Sequence, residues 1–457
     1  MRTPETVPRE LLEKYDRPVP RYTSYPTALH FDESVDGRAA VDRLDSRSSS
    51  GPVSLYFHVP FCEKLCWYCA CNRVIERDTS VAGPYVDALL DEMDLKREWI
   101  GDRPVVQIHF GGGTPTFLPP DEIRRLGAAI HSRFDVAGDA EISVEIDPRA
   151  CDAERIGALA EAGFNRASIG VQDHDPEVQE AIHREQPYET TRRTVERLRE
   201  AGFGSINFDV IYGLPHQTVD SFAGTLDDLV ELGADRVAVY SYAHVPWKNP
   251  AQKHLEEAGL PDASTKFDLL SETVERLTDA GMVYIGLDHF AAPDDGLARA
   301  FRDGTLRRNF QGYSTHRETE IFAFGVSGIS QAAGAYVQNE KDLEDYYDAL
   351  DDPERPLPVA RGCLLDRDDE TRRETIMHVM CRSTLDFDEL SSRLGIDFAD
   401  YFADELERLA PLEEDGLVEV HSDAVEIRPL GRLFLRNIAS AFDAYLDPEE
   451  SRYSTAV

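Results

Sequence analysis

An incomplete TIM-type (β/α)6 barrel of the α/β class, with an N-terminal arm and a C-terminal, mostly helical, winged-helix-like domain, is the fold that the sequence predicts. Three observations lead there. From residue 54 onward, short apolar or β-branched runs alternate with amphipathic stretches, the pattern of a parallel sheet covered by helices. Nearly every chemically unusual residue falls at or just past the C-terminal end of one of those runs, which is how a TIM-type barrel displays its site. The last part of the chain then changes to a helix, helix and hairpin order. A length of 457 residues suits a barrel-sized domain of about 250 to 300 residues plus a second one. The expected division is an arm near the active site over 1–50, closed by the linker SRSSSG, a barrel over 51–350 and a helical domain over 351–457.

The expected strands are VSLYFHV (53–59), VVQIHF (105–110), EISVEI (141–146), RASIGVQ (166–172), SINFDVIYG (205–213) and RVAVYSYA (236–243), with a possible seventh at MVYIGLD (282–288). Between them YVDALLDEMDLKREWI, PDEIRRLGAAIHSRF, DAERIGALAEAG, ETTRRTVERLREAG and VDSFAGTLDDLVELG read as helices, with Asp or Ser near several starts and AG or LG at several ends. Six units in place of eight leave a barrel open on one side for a large substrate. Beyond it, RDDETRRETIMHVM, DFADYFADELERLA and GRLFLRNIASAFDAYL read as helices and GLVEVHSDAVEIRP as a hairpin. That order suggests a winged helix with a packing or lid role, because the segment is too acidic for DNA.

A formal net charge of -38 argues against nucleic acid or an anionic membrane as a partner, since both polyanions would be repelled. Only 7 of the 48 basic residues are Lys, and acidic runs recur all along the chain, a halophile-like pattern in which salt relieves self-repulsion. We expect folding to require molar salt. The start of the sequence has no apolar run of signal-peptide length, and nothing later has the uninterrupted apolar length of a membrane span, so a cytoplasmic location is expected. In that reducing compartment the 7 cysteines are expected as free thiols or metal ligands, not as disulfides.

The densest chemical signal is FCEKLCWYCAC at 61–71, where Cys62, Cys66 and Cys69 have the spacing C-x3-C-x2-C and Cys71 follows. Structural zinc usually takes two separated ligand pairs, so one compact cluster is a poor match. A single loop can instead wrap a 4Fe-4S cluster. Three thiolates then satisfy three irons and leave the fourth open to an exogenous ligand. Cys151, Cys363 and Cys381 have no companions and read as apolar fillers.

With aromatic Tyr68 before the third cysteine, YFHVPFCEKLCWYCAC resembles the radical S-adenosylmethionine superfamily, and GGGTPT (111–116) resembles its glycine-rich motif. PRYTSYPTALHF, SIGVQDHDPEVQEAIHREQ, NFDVIYGLPHQT, YAHVP, RRNFQGYST and GRLFLRNIASAFDAYL narrow the resemblance to the family of oxygen-independent coproporphyrinogen III oxidases, over essentially the whole chain. The resemblance implies Cys62, Cys66 and Cys69 as metal ligands, one 4Fe-4S cluster and two molecules of S-adenosylmethionine. It places Tyr56, Gly112, Glu145 and Ile329 around the cluster-bound molecule, and Tyr68, Gly113, Thr114, Gln172, Arg184, Asp209 and Ala243 around the second. A guanidinium suits a methionyl carboxylate, and acidic Glu145 and Asp209 suit an ammonium or ribose hydroxyls. Position 68 is commonly Phe in the family, and Cys71 matches a position without a metal role.

The reaction so implied is oxidative decarboxylation of two propionates of coproporphyrinogen III to vinyl groups, giving protoporphyrinogen IX. An electron delivered to the cluster, expected from a flavodoxin or ferredoxin, cleaves S-adenosylmethionine to a 5'-deoxyadenosyl radical that attacks the propionate β-carbon. Substrate candidates are Arg21 and Tyr22 in the arm and Asn309 and Gln311 in NFQGYST; His58 and Gln311 are the candidate catalytic side chains. His58 reads equally as an oriented strand-end residue. The protein is expected to be a monomer. The competing readings are a haem-chaperone-type binding protein, an anaerobic haem-degrading radical enzyme, and a DNA-binding regulator disfavoured by its charge.

Overall fold

The computed structural model describes residues 9–47, 49–316 and 319–446. All six expected strands are present among them: Val53–Val59 (β1), Val105–Gly112 (β2), Val136–Ile146 (β3), Arg166–Gln172 (β4), Ser205–Tyr212 (β5) and Arg236–Ser241 (β6). By internal packing the described residues form two compact units, one within 28–209 and 319–365, the other within 9–27, 210–316 and 366–446. The cut falls inside β5.

In the first unit β1 pairs in parallel with β2, β2 with β3 and β3 with β4. On its other side β1 pairs in parallel with Glu320–Phe324, after which Ile329–Ala332, Ala335–Asn339 and Val359–Leu364 continue as an antiparallel meander. Parallel strands with both faces covered read as near-continuous apolar runs. Accordingly, β1 is buried at every position but one, and Phe57 stacks between Phe110 and Phe324 with both ring centroids at 4.8 Å. The covering helices Ala82–Ile100, Pro120–Arg133, Ala153–Glu161 and Tyr188–Glu200 lie where the apolar periodicity placed them. Asp152 caps the third by accepting from the Arg155 N–H at 2.9 Å.

One buried polar network ties this unit together. Glu92 and Lys96 pair at 2.6 Å, and Glu92 also accepts from Tyr346 Oη, Asn339 Nδ2 and the Gly325 N–H, each at 2.7 Å. The neighbouring Tyr85 hydroxyl donates to the His58 carbonyl at 2.6 Å and accepts from the Val326 N–H at 3.1 Å. The C-terminal end of β1 is therefore pinned from behind.

In the second unit β6 pairs antiparallel with His289–Ala291, which pairs antiparallel with Val283–Gly286. The possible seventh strand thus exists, as one arm of a hairpin and not as a further parallel barrel strand. One apolar core joins arm residues Leu12, Tyr15, Tyr22 and Tyr25 to Ile285, Leu297 and Tyr313 and to the C-terminal segment from Ile376 to Phe442. There the helix Arg367–Cys381 and a three-stranded sheet ordered Thr384–Asp386, Ala424–Ile427, Val418–Val420 realise the first expected helix and the hairpin.

The other two C-terminal helices differ from expectation. DFADYFADELERLA is broken into Phe398–Tyr401 and Ala403–Glu407 at buried Phe402, whose φ of -106° and ψ of 25° leave the helical region. GRLFLRNIASAFDAYL is two 3-10 turns, Leu430–Phe434 and Ser440–Phe442, around one short helix, Leu435–Ala439. The segment is buried on nearly all sides. Its polar side chains serve other backbones: Arg436 donates to the Pro20 carbonyl at 3.1 Å and Asn437 to the Tyr15 carbonyl at 3.0 Å. Tertiary contacts override the local helical preference.

Candidate functional site

The cysteine loop leaves β1 at Val59 and is closed at its base. Phe61–Cys62 pairs in parallel with Val74–Ile75, the Val74 N–H donating to the Pro60 carbonyl at 2.8 Å and the Glu76 N–H to the Cys62 carbonyl at 2.9 Å. Its far side is tethered to the turn after Pro176–Ala181. The Trp67 N–H donates to the Ile182 carbonyl at 3.1 Å, His183 Nδ1 donates to the Leu65 carbonyl at 2.8 Å, and the two rings stack at 5.1 Å. His183 takes a φ of 58°, a conformation that non-glycine residues rarely adopt. A third tether is His58, whose Nε2–H donates to the Asn72 carbonyl at 3.0 Å while Nδ1 accepts from the Tyr56 hydroxyl at 3.1 Å. With both ring nitrogens engaged and burial lowering its pKa, His58 is a neutral strut.

The glycine-rich stretch ends β2 beside this loop. A Cβ on Gly113 would fall 2.3 Å from the Pro60 oxygen, and one on Gly112, at φ 117°, would fall 2.8 Å from the His58 ring. The resemblance places these glycines around S-adenosylmethionine. In the structure the space beside their α-carbons is filled by the start of the cysteine loop, so they first of all let β1 and β2 pack at their C-terminal ends. The Gly112 N–H donates to Glu145 at 3.2 Å, and Thr114 Oγ1 lies 3.3 Å from Cys62 Sγ.

Around one cavity of about 170 Å³ the structure gathers the predicted residues Cys62, Cys66, Cys69, Tyr68, Gly112, Gly113, Thr114, Glu145, Gln172, Arg184 and Asp209, with Cys71. All its cysteines are free. Burial pushes the Cys62 thiol up to about 11. The hydrogen bond from the Cys71 thiol draws Cys69 down to about 6 and raises Cys71 in turn. Asp209 is pushed up to about 6 by burial, with nearby Glu145 adding to the shift, against hydrogen bonds donated by Ser168 at 2.6 Å and Asn207 at 3.0 Å. Gln172 closes β4 with a φ of 68°, a local strain of the kind that collects at functional sites.

Among the lining residues outside the predicted contacts are Asp147 and Arg149. Arg149 clamps the Asp147 carboxylate with Nε at 3.0 Å and Nη2 at 2.7 Å, and Arg184 reaches the same carboxylate at 3.1 Å. Burial opposes ionisation of Asp147, yet the two guanidiniums hold its carboxyl far below the ordinary carboxylate range. Each guanidinium also lies 3.5 Å from Cys66 Sγ. The signal was available as DPR directly after β3.

The remaining predicted residues do not line that cavity. Tyr56 stacks on His109 at 5.8 Å, with its hydroxyl beside the Glu145 carboxylate, a Cβ on Gly111 falling 3.1 Å from the one and 3.0 Å from the other, while Ile329 is half-buried on the strand Ile329–Ala332 of the same unit. Ala243 is exposed in the second unit, its carbonyl accepting from Gln252 at 3.2 Å. Arg21, Tyr22, Asn309 and Gln311 come together there. Arg308 donates to the carbonyls of Tyr22 and Arg21 at 3.3 Å, and the Gln311 N–H donates to Asn309 Oδ1 at 2.9 Å. The Arg21 guanidinium is taken by Asp288 and the Tyr22 hydroxyl by Asp443. Both side-chain polar atoms of Gln311 are buried without a partner among the described residues.

Residues 56–229 match the radical SAM superfamily and residues 365–434 the HemN C-terminal domain. The oxygen-independent coproporphyrinogen III oxidase of Salmonella typhimurium is 45% identical over 436 residues, 95% of each chain. That of Pseudomonas aeruginosa is 44% identical over 444 residues, 96% of this chain and 95% of its own. The chain belongs to the oxygen-independent coproporphyrinogen III oxidase family. The solved structure of the Escherichia coli coproporphyrinogen III oxidase HemN, described as a radical SAM enzyme, superposes with a TM-score of 0.90 at 45% identity, covering 93% of this chain and 98% of that one. The family's radical SAM α/β fold, with a partial barrel-like sheet and its HemN C-terminal domain, is therefore the fold described above.

The donor set fits an iron–sulfur cluster with S-adenosylmethionine. Four unbridged thiols from one loop, Cys71 and the three predicted ligands, line one cavity, and beside them the buried Arg184 keeps its Nε without a hydrogen-bond partner among the described residues. Unpaired thiols suit soft metal ions, and an orphaned guanidinium N–H suits an anionic ligand.

Proposed function

We propose that this chain catalyses the oxygen-independent oxidative decarboxylation of two propionates of coproporphyrinogen III to vinyl groups, forming protoporphyrinogen IX in haem biosynthesis. The observation that carries this reading is 45% identity over nearly the whole chain, combined with the free thiols of Cys62, Cys66 and Cys69 lining the same cavity as Glu145, Asp209 and Arg184. When bound, a 4Fe-4S cluster and S-adenosylmethionine supply a radical able to remove hydrogen from an unactivated carbon.

Cys62, Cys66 and Cys69 would hold the cluster, with the loop fixed by His58, Trp67 and His183. Two S-adenosylmethionine molecules would be bound. Glu145 would receive the ammonium group of the first, near Tyr56, Gly112 and Ile329. Arg184 would receive the carboxylate of the second, with Tyr68 stacking and Gly113, Thr114, Gln172, Asp209 and Ala243 around it. Arg184 already serves Asp147, so an incoming carboxylate would share its fork and take up the orphan Nε.

On the substrate side, Arg21, Tyr22, Asn309 and Gln311 are proposed contacts, and the unpartnered Gln311 amide is the best placed to hydrogen-bond a pyrrole or propionate. His58, neutral and engaged at both nitrogens, suits positioning better than proton transfer. The division 1–50, 51–350 and 351–457 is proposed as arm, catalytic barrel of (β/α)6 kind and helical domain. The last is proposed to be winged-helix-like and to serve packing, as its shared core with the arm favours. A monomeric, cytoplasmic enzyme reduced by a flavodoxin or ferredoxin completes the proposal; no described helix is long and apolar enough to cross a membrane.

Anaerobic reconstitution with iron and sulfide, then product analysis with coproporphyrinogen III, a reductant and S-adenosylmethionine, tests it. Protoporphyrinogen IX and carbon dioxide are expected. Stable haem uptake without turnover of S-adenosylmethionine would replace it with the chaperone reading, and haem breakdown with the degradative one.

A further inference from the structure

The three proposed cluster ligands have unlike neighbours. Cys62 has the neutral Thr114 hydroxyl at 3.3 Å, and Cys69 has the Cys71 thiol as hydrogen-bond donor, with the charges of Arg73 and Arg184 also acting on it. Cys66, the buried one, has two guanidiniums, Arg149 Nη2 and Arg184 Nη1, each 3.5 Å from its sulfur. Arg149 stands one turn past the end of β3, and Asp147 fixes it there through the backbone N–H as well as the fork. Its side chain is about four-fifths buried, at 19% exposure, in the wall of the cavity. Arg184 differs in having the orphan Nε and a place among the matched cofactor contacts. Arg149 has no such match; its Nε serves Asp147, and its Nη2 serves both Asp147 and Cys66.

Resting on the reading of Cys62, Cys66 and Cys69 as cluster ligands, we propose that Arg149, oriented by Asp147, is a positioning residue that donates a charge-assisted hydrogen bond to the Cys66 sulfur and raises the reduction potential of the cluster. The physical ground is the change of charge on reduction. An electron taken up by the cluster would place part of its charge on the ligating sulfurs, the Cys66 sulfur among them. A cationic N–H donor aimed at one of them stabilises the reduced form more than the oxidised one. The trio Asp147, Arg149 and Arg184 carries a net single positive charge against that sulfur, in a half-enclosed site where screening by water is weak. A carboxylate arriving on Arg184 would neutralise that surplus, leaving Arg149 as the donor that persists through the catalytic cycle.

The test is the midpoint potential of the reconstituted cluster, read by an anaerobic redox titration followed by electron paramagnetic resonance, without S-adenosylmethionine. Arg149→Gln removes the charge and the fork; Arg149→Lys keeps the charge alone. Both are expected to retain the wild-type iron and sulfide content, with the Gln midpoint more negative than wild type and the Lys midpoint between the two. An iron-replete Arg149→Gln protein with the wild-type midpoint overturns the proposal. So does loss of iron from both variants, which would make Arg149 a scaffold residue. Wild-type protein that takes up no cluster would instead overturn the ligand reading beneath it.

Discussion

The His58 imidazole lies against the backbone of Gly112 so closely that a Cβ at position 112 would fall 2.8 Å from its ring. That contact joins the strand that launches the cysteine loop to the strand that carries the glycine-rich motif. Gly112→Ala would force the ring away while also placing a side chain at φ 117°. Strain of each kind costs about 1 to 3 kcal/mol. We expect a clear fall in thermal midpoint together with reduced iron uptake. The smaller His58→Ala side chain should restore part of the lost stability in the double variant. Absence of any such coupling in the double-mutant cycle would contradict the contact.

Substitution of the thiols separates ligands from neighbours. Cys62→Ser, Cys66→Ser and Cys69→Ser should each abolish the bound iron and all cleavage of S-adenosylmethionine, whereas Cys71→Ser should retain the iron. Iron and sulfide assay after anaerobic reconstitution reads this directly. Equal loss in all four would defeat the three-ligand assignment. Because Cys71 hydrogen-bonds Cys69 and draws its thiol down to about 6, Cys71→Ala, which unlike Ser leaves no donor, should slow uptake at low pH, where Cys69 is least ionised.

Much of this site was legible because it depends on short spacings and strand ends. The cysteine triplet, Glu145, Gln172 and Asp209 sit at positions that apolar periodicity alone places at one rim. What escaped depends on contacts remote in sequence. His183 and Trp67 hold the loop across more than a hundred residues, and nothing in the local pattern of either announces it. Arg149 is one arginine among many until Cys66 is seen 3.5 Å away. The C-terminal run GRLFLRNIASAFDAYL misled for a related reason. Its periodicity is helical, but its arginine and asparagine side chains satisfy distant carbonyls, and burial on nearly all sides dictates shorter turns.

Asp209 gives a pH dependence with a definite sign. Its pKa is raised in the folded state to about 6, from an ordinary value of 3.8, chiefly by burial. Below the lower value both states are protonated and nothing is lost. As pH rises through the interval the folded state must carry a buried charge, and the group's contribution to stability falls by about 3 kcal/mol. Asp209→Asn removes that loss. Relative to wild type without S-adenosylmethionine, its thermal midpoint should be higher at pH 8 by more than at pH 4. The same substitution should weaken S-adenosylmethionine binding, measured by calorimetry on the reconstituted protein. A stability difference equal at both pH values would show that the carboxyl is not buried as described.

The net charge of -38 leads to the last expectation. Some of the acidity is structural: Asp36, Asp262, Asp342 and Asp366 each accept backbone N–H groups at the start of a helix, where a carboxylate also meets the positive end of the helix dipole. Those contacts are local and persist at any salt concentration. The mutual repulsion of the whole set does not, because the screening length shortens from about 10 Å at 0.1 M salt to about 3 Å at 1 M. Relief of self-repulsion should raise the thermal midpoint steeply from dilute buffer to about 1 M potassium chloride and more slowly beyond. Sucrose at matched osmolality acts by exclusion and leaves the charges unscreened, so it should reproduce only the slow part. Folding in dilute buffer with a midpoint already at its high-salt value would overturn the requirement for salt, and an equal rise in sucrose would reassign the effect from charge to hydration.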